Sequence, residues 1–154
     1  MRGFLFAAIL VCGVSPVHAY LKLGALVNGD IVDVSWREPV RYFVAERGAG
    51  EVSAGDLRAA VERAAATWQA VQSARVRLEF QGMTSGVPDV IDGRTTIGFL
   101  DRSDLEQVLG ATSFMIDTSS GAIVEADIFL NARFNWSVSP ADPRPRRSRV
   151  RRAA

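Results

Sequence analysis

The chain's only Cys, Cys12, and its only His, His18, both fall within the first nineteen residues, and those nineteen read as an export leader. Arg2 supplies a positive start, Phe4 to Val14 is an almost unbroken apolar run, and Val17-His18-Ala19 sets small residues at a cleavage site after Ala19. The run is much shorter than the ~20 residues a membrane-spanning helix needs. A signal peptide over 1–19, a secreted or periplasmic product and no retained membrane anchor are therefore expected. The 135 residues that remain hold neither Cys nor His. No disulfide can staple their fold, so an apolar core has to hold it, and a body of ~120 residues is large enough to supply one. Zinc sites built on imidazole or thiolate, Ser-His-Asp triads and Cys-His pairs are excluded from these residues by the same absence. A Ser-Lys pair would have to use Lys22, the only Lys, beside the cleavage site.

Periodicity then lays out the elements. Tyr20 to Val34, with Gly24, Asn28 and Gly29, reads as an irregular N-terminal segment. Val40-Arg41-Tyr42-Phe43-Val44 is β-branched and aromatic between Pro39 and Gly48, which predicts a strand. A helix follows, with Ser53 as its cap and Asp56 three residues on as a short-armed capping-box acid. Leu57, Ala60, Val61, Ala64, Trp68 and Val71 share one stripe of that helix, so Trp68 is expected in the core. Val76, Leu78 and Phe80 alternate with Arg75, Arg77 and Glu79 in a second strand, and Gln81 to Gly93 reads as a loop. Thr95 to Leu100 is a third strand, Asp101 to Leu109 a short helix. Ala111 to Ile116 and Ala122 to Leu130 form a hairpin around Asp117-Thr118-Ser119-Ser120-Gly121. One long helix against a twisted, mainly mixed β-sheet is an α+β layer structure.

The net charge of +1 conceals two opposed regions. Tyr20 to Ser139 carries 11 basic and 16 acidic residues, whereas Pro140 to Ala154 carries six Arg against Asp142. In that last stretch, Pro140, Pro143 and Pro145 among the arginines abolish any periodicity, and 140–154 is expected to be a disordered tail. It lacks the interleaved aromatics of a specific nucleic-acid binder.

The remaining candidates for chemistry are carboxylates. Glu125 and Asp127, at i and i+2 of a strand, share a face opposite Val124, Ala126, Ile128 and Leu130. No neighbour in the sequence would perturb them, so they are expected on a solvated face. Asp89, Asp92, Asp101 and Asp104 could gather around calcium, but they lack the Gly and terminal Glu of a calcium loop and are expected as solvated loop residues. Asn135-Trp136-Ser137 fits a glycosylation sequon, with the Trp136 ring expected to be buried.

Taken in order, several segments resemble the matrixin-type (metzincin) zinc metallopeptidases. They are Val40 to Val44, the helix from Ser53 to Trp68, Val76 to Phe80, Gly110-Ala111-Thr112-Ser113-Phe114, Gly121 to Asn131, and Phe134-Asn135-Trp136-Ser137. The similarity spans Val34 to Val138. It implies a matrixin-like N-terminal subdomain over 20–139, the upper half of a substrate cleft. It also implies an antiparallel edge strand that pairs with extended peptide or protein substrate, here Ala111, Thr112, Ser113, Phe114, Met115 and Ile116. The family's activity is zinc-dependent endoproteolysis, carried by H-E-x-x-H-x-x-G-x-x-H on a helix after the hairpin. In this chain the corresponding position is Pro140 to Ala154, with no His or Glu, so the resemblance implies neither catalytic residues nor zinc ligands here. The expected protein is an inactive exported fragment or, alternatively, a non-catalytic secreted peptide-binding module. The Arg, Pro, Ala and Ser mixture of the tail is what a shifted reading frame in a GC-rich gene would produce.

Overall fold

The structure is a computed structural model that describes residues 23–27, 29–73 and 75–138, together with the backbone of 146 and 147. The leader over 1–19 and nearly all of the 140–154 tail lie outside the described residues.

Alternating apolar stretches and one capped helix assemble into a single mixed five-stranded sheet. Strands β1 (Gly24–Val27) and β2 (Asp30–Asp33) form a separate antiparallel hairpin, with Leu26 opposite Ile31. β3 is Val40–Ala45, α1 Ala54–Gln69, β4 Leu78–Thr84 and β5 Thr95–Leu100. β6 is Gly110–Ile116, β7 Ile123–Asn131, and the two-residue strand β8 (Phe134–Asn135) pairs with β9 (Arg146–Arg147). The sheet order is β4-β3-β5-β7-β6, parallel throughout except for β6, which runs antiparallel to β7 at one edge. The α+β class, the mixed sheet and the single long helix thus match the expectation.

The helix begins where its cap says it should. Ser53 Oγ accepts from the Asp56 backbone N–H at 3.1 Å while the Ser53 N–H donates to Asp56 Oδ2 at 3.1 Å, a complete capping box. Its buried stripe is narrower than the sequence spacing implies: Leu57 and Ala65 are buried, Val61 packs against them, and Trp68 is 64% exposed. α1 packs mainly on β3 and β4, and Gln69 at its end accepts from the Leu78 N–H at 3.1 Å, while the neighbouring Trp68 points away from the core.

Three other expectations are corrected. The N-terminal segment is a regular hairpin, because Gly29 takes φ +94° and closes the turn. β4 runs four residues past Phe80, through a bulge at which Phe43 pairs with Gly82 rather than Gln81; φ is +133° at Gly82, which only glycine adopts readily. Asp101 to Leu109 is a chain of turns and not a helix.

The sheet has two unlike faces. On the helix side, Tyr42, Val44 and Phe99 pack with Leu57 and Ala65, joined by Leu78, Phe80, Ile97, Leu130 and Trp136. Burying each large apolar side chain there contributes about 1.5–3 kcal/mol. The Trp136 ring sits 6.0 Å from that of Phe99, and its indole N–H donates to the Asn131 carbonyl at 2.8 Å. No helix among the described residues packs on the other face. It is covered by the loops 85–94 and 101–109. None of the helices among the described residues is long and apolar enough to cross a membrane.

Candidate functional site: the β6 edge and the carboxylates behind it

β6 is an edge strand of seven residues with no charge and no proline, and Ala111 through Met115 are exposed. All six residues named from the resemblance, Ala111 to Ile116, lie on it. One side of the strand is paired to β7 from Gly110↔Leu130 to Ile116↔Ile123, with a register irregularity after Met115. Among the described residues the other side has no strand partner in the sheet, and its backbone N–H and C=O groups form a row open to an added strand.

Register decides which side chains flank that row. Ser113 lies opposite Asp127 and Met115 opposite Glu125, so these four share the loop-covered face; Thr112 and Phe114 share the helix-side face with Ile128 and Ala126. On the loop-covered face β7 carries Glu125, Asp127, Phe129 and Asn131, and all four are buried.

This overturns the expectation of a solvated acidic face, since Glu125 is 4% and Asp127 3% exposed. Both carboxylates act as anchors for loop 85–94. Glu125 accepts from the backbone N–H groups of Asp92 (3.2 Å) and Gly93 (2.8 Å). Asp127 accepts from those of Val90 (3.1 Å) and Thr96 (2.7 Å). Burial pushes the Asp127 carboxyl above its ordinary value; the N–H donors of Thr96, Val90 and Asp89 pull it back, and the nearby Glu125 charge pushes it up further. Val124, on the opposite face, is the residue left exposed.

Asn131, which no sequence pattern singled out, does for loop 101–109 what the acids do for loop 85–94. Its side-chain amide donates to the carbonyls of Arg102, Leu105 and Val108 at 3.2, 3.0 and 3.0 Å. Its oxygen accepts from the N–H groups of Arg102 and Arg133 at 3.3 and 3.2 Å. The aspartates once considered for calcium are spent on arginines and loop amides. Arg102 grips Asp89 and Asp104, each at 2.8 Å, Arg133 meets Asp101 at 2.7 Å, and Asp92 accepts from the Arg94 N–H. Among the described residues no group of three or more His, Cys, Asp or Glu side chains is placed to hold a metal ion.

Between loop 85–94 and β6 lies a cavity of about 130 Å³, lined by Asp89, Ile91, Glu125, Asp127 and the stretch Ser113-Phe114-Met115 of β6. It opens beside the unpaired edge. Comparison with protein-family models, curated proteins and solved structures gives no match to this chain.

Proposed function

We propose that this chain is an exported, non-hydrolysing module, similar to the N-terminal half of a matrixin-type metallopeptidase, that captures extended peptide along β6. The observation that carries the reading is the edge strand itself. Seven uncharged residues with one open row of backbone groups offer main-chain hydrogen bonds to an added strand, and nothing in their side chains repels one. The antiparallel run of β6 beside otherwise parallel strands agrees with the edge strand that the resemblance implies at Ala111 to Ile116.

The family activity, zinc-dependent cleavage, needs a metal ligand set and a general base on a helix. Residues 20–154 offer neither imidazole nor thiolate to such a site. Export rests on the leader pattern at 1–19.

Titration of the purified protein with a capped, uncharged extended hexapeptide tests capture, and saturable binding is the expected result. Zinc content and casein hydrolysis, with and without a chelator, test the absence of cleavage. Stoichiometric zinc with chelator-sensitive hydrolysis overturns the non-catalytic reading, and failure to bind any extended peptide overturns capture. The intact mass of the exported product checks cleavage after Ala19.

A further inference from the structure

We infer that the β6 edge selects extended peptides that carry an arginine or lysine, the basic side chain crossing Ser113 or Met115 into the cavity in front of Glu125 and Asp127. The inference rests on peptide capture at β6 and adds to it the class of peptide.

The geometry of an added strand sets the direction. Its alternate side chains fall on the face that Ser113 and Met115 share with Asp127 and Glu125. Two strand spacings, roughly 9.5 Å, separate an added strand from β7. An extended arginine or lysine covers most of that distance and the carboxylate arms cover the rest. The wall in between is amphipathic in the right order, with Ile91 and Met115 available to the aliphatic stem and Glu125 and Asp127 to the cationic head.

Charge completes the argument. The hydrogen bonds that Glu125 and Asp127 accept come from backbone N–H groups and bring no compensating positive charge. Arg102 pairs with Asp89 at the cavity wall and with Asp104, and Arg94 lies over the Phe43 ring, so neither hydrogen-bonds Glu125 or Asp127. A carboxylate pair offers about eight lone-pair sites. The amides occupy only some of them, so acceptor capacity remains for a donor entering from the edge. The surplus of acidic over basic residues across Tyr20 to Ser139 favours the same class of partner at longer range.

The test compares two capped hexapeptides, identical except for arginine or norleucine at the central position, titrated against the full chain by calorimetry at low and high salt. Arginine is expected to bind about tenfold more tightly, the worth of one charge-assisted hydrogen bond, and the advantage is expected to shrink with salt. Ser113→Arg supplies a guanidinium to the cavity from β6 itself while leaving the loop anchors in place. It is expected to abolish the discrimination between the two peptides, whereas an arginine preference that survives this substitution overturns the inference. Equal binding of the two peptides to the unmodified chain overturns the inference and leaves capture standing. Binding of neither peptide removes capture itself.

Discussion

Gly93 donates its backbone N–H to Glu125 Oε2 at 2.8 Å, a contact that joins the tip of one loop to a strand 32 residues later in the chain. With the neighbouring Asp92 contact it makes Glu125 a two-point anchor. Glu125→Ala removes both acceptors from the part-buried contacts, at about 0.5–1.5 kcal/mol each. Chemical denaturation is expected to register the loss, and hydrogen exchange to show Asp92 and Gly93 losing protection while the β3 amides keep theirs. Unchanged exchange at Gly93 would count against the anchor.

Asn131 is fully buried and bonds on both ends of its amide. Asn131→Ala strands several backbone groups of loop 101–109 together, and a loss on the order of 3 kcal/mol or more is expected. Asn131→Asp is expected to be no better. It exchanges the donor that Arg102, Leu105 and Val108 share for an acceptor facing their carbonyl oxygens. Thermal unfolding of the two variants beside the parent checks this.

Gly98 sits where β5 passes β3, and a Cβ added there would lie 2.5 Å from that of Ala45. Neither atom can swing away, because each is fixed to its own strand. Gly98→Ala is expected to cost about 1–3 kcal/mol as overpacking. The double variant Ala45→Gly, Gly98→Ala is expected to recover part of that loss in a denaturant titration. A double variant less stable than Gly98→Ala would contradict steric origin.

Four carboxyls divide the acid limb of stability between them. Asp56, Asp104 and Asp117 are held below the ordinary carboxylate value, chiefly by hydrogen bonds from Ser53, Arg102 and Ser119 respectively. Their contribution is present above that value and is lost as pH falls through their lowered values. Asp127 is raised by burial, so its contribution is present below the ordinary value and is lost as pH rises through the raised one. The stability deficit of Asp127→Asn relative to the parent is therefore expected to be larger near pH 3.5 than near pH 7. Denaturant midpoints of both proteins across that range measure it, and a deficit that grows with pH would reverse the assignment.

The cap is the simplest case. Ser53→Ala removes the acceptor of the Asp56 N–H and the partner of its carboxylate, and a loss of about 1 kcal/mol is expected in thermal unfolding.

Local chemistry made much of the fold legible. Pro39 before β3, the Ser53 and Asp56 pair before α1, and Gly121 at the end of the β6–β7 turn each mark a boundary by backbone physics, and each element stands where they place it. The alternation also reads Ala111 to Ile116 as a strand, and β6 covers it. What alternation could not reveal is which cover each face of a strand receives. In β7 it separates Val124, Ile128 and Leu130 from Glu125 and Asp127 correctly, yet hydrophobicity assigns the core to the first group. α1 packs mainly on β3 and β4, while two loops close over the polar group and satisfy it with backbone donors. Trp68 lies on the helical stripe yet is exposed, because spacing alone does not tell which positions of the stripe the sheet covers. Asn131 carried no local signal because every partner of its side chain but Arg133 lies at least 23 residues away.

The dependence of both loops on β7 has a consequence for the order of assembly. A ribosome releases positions 85–109 well before it releases 125–131, so the two connecting segments emerge with nothing to fasten them. Their amides and carbonyls can meet the Glu125, Asp127 and Asn131 side chains only once the last long strand lies between β5 and β6.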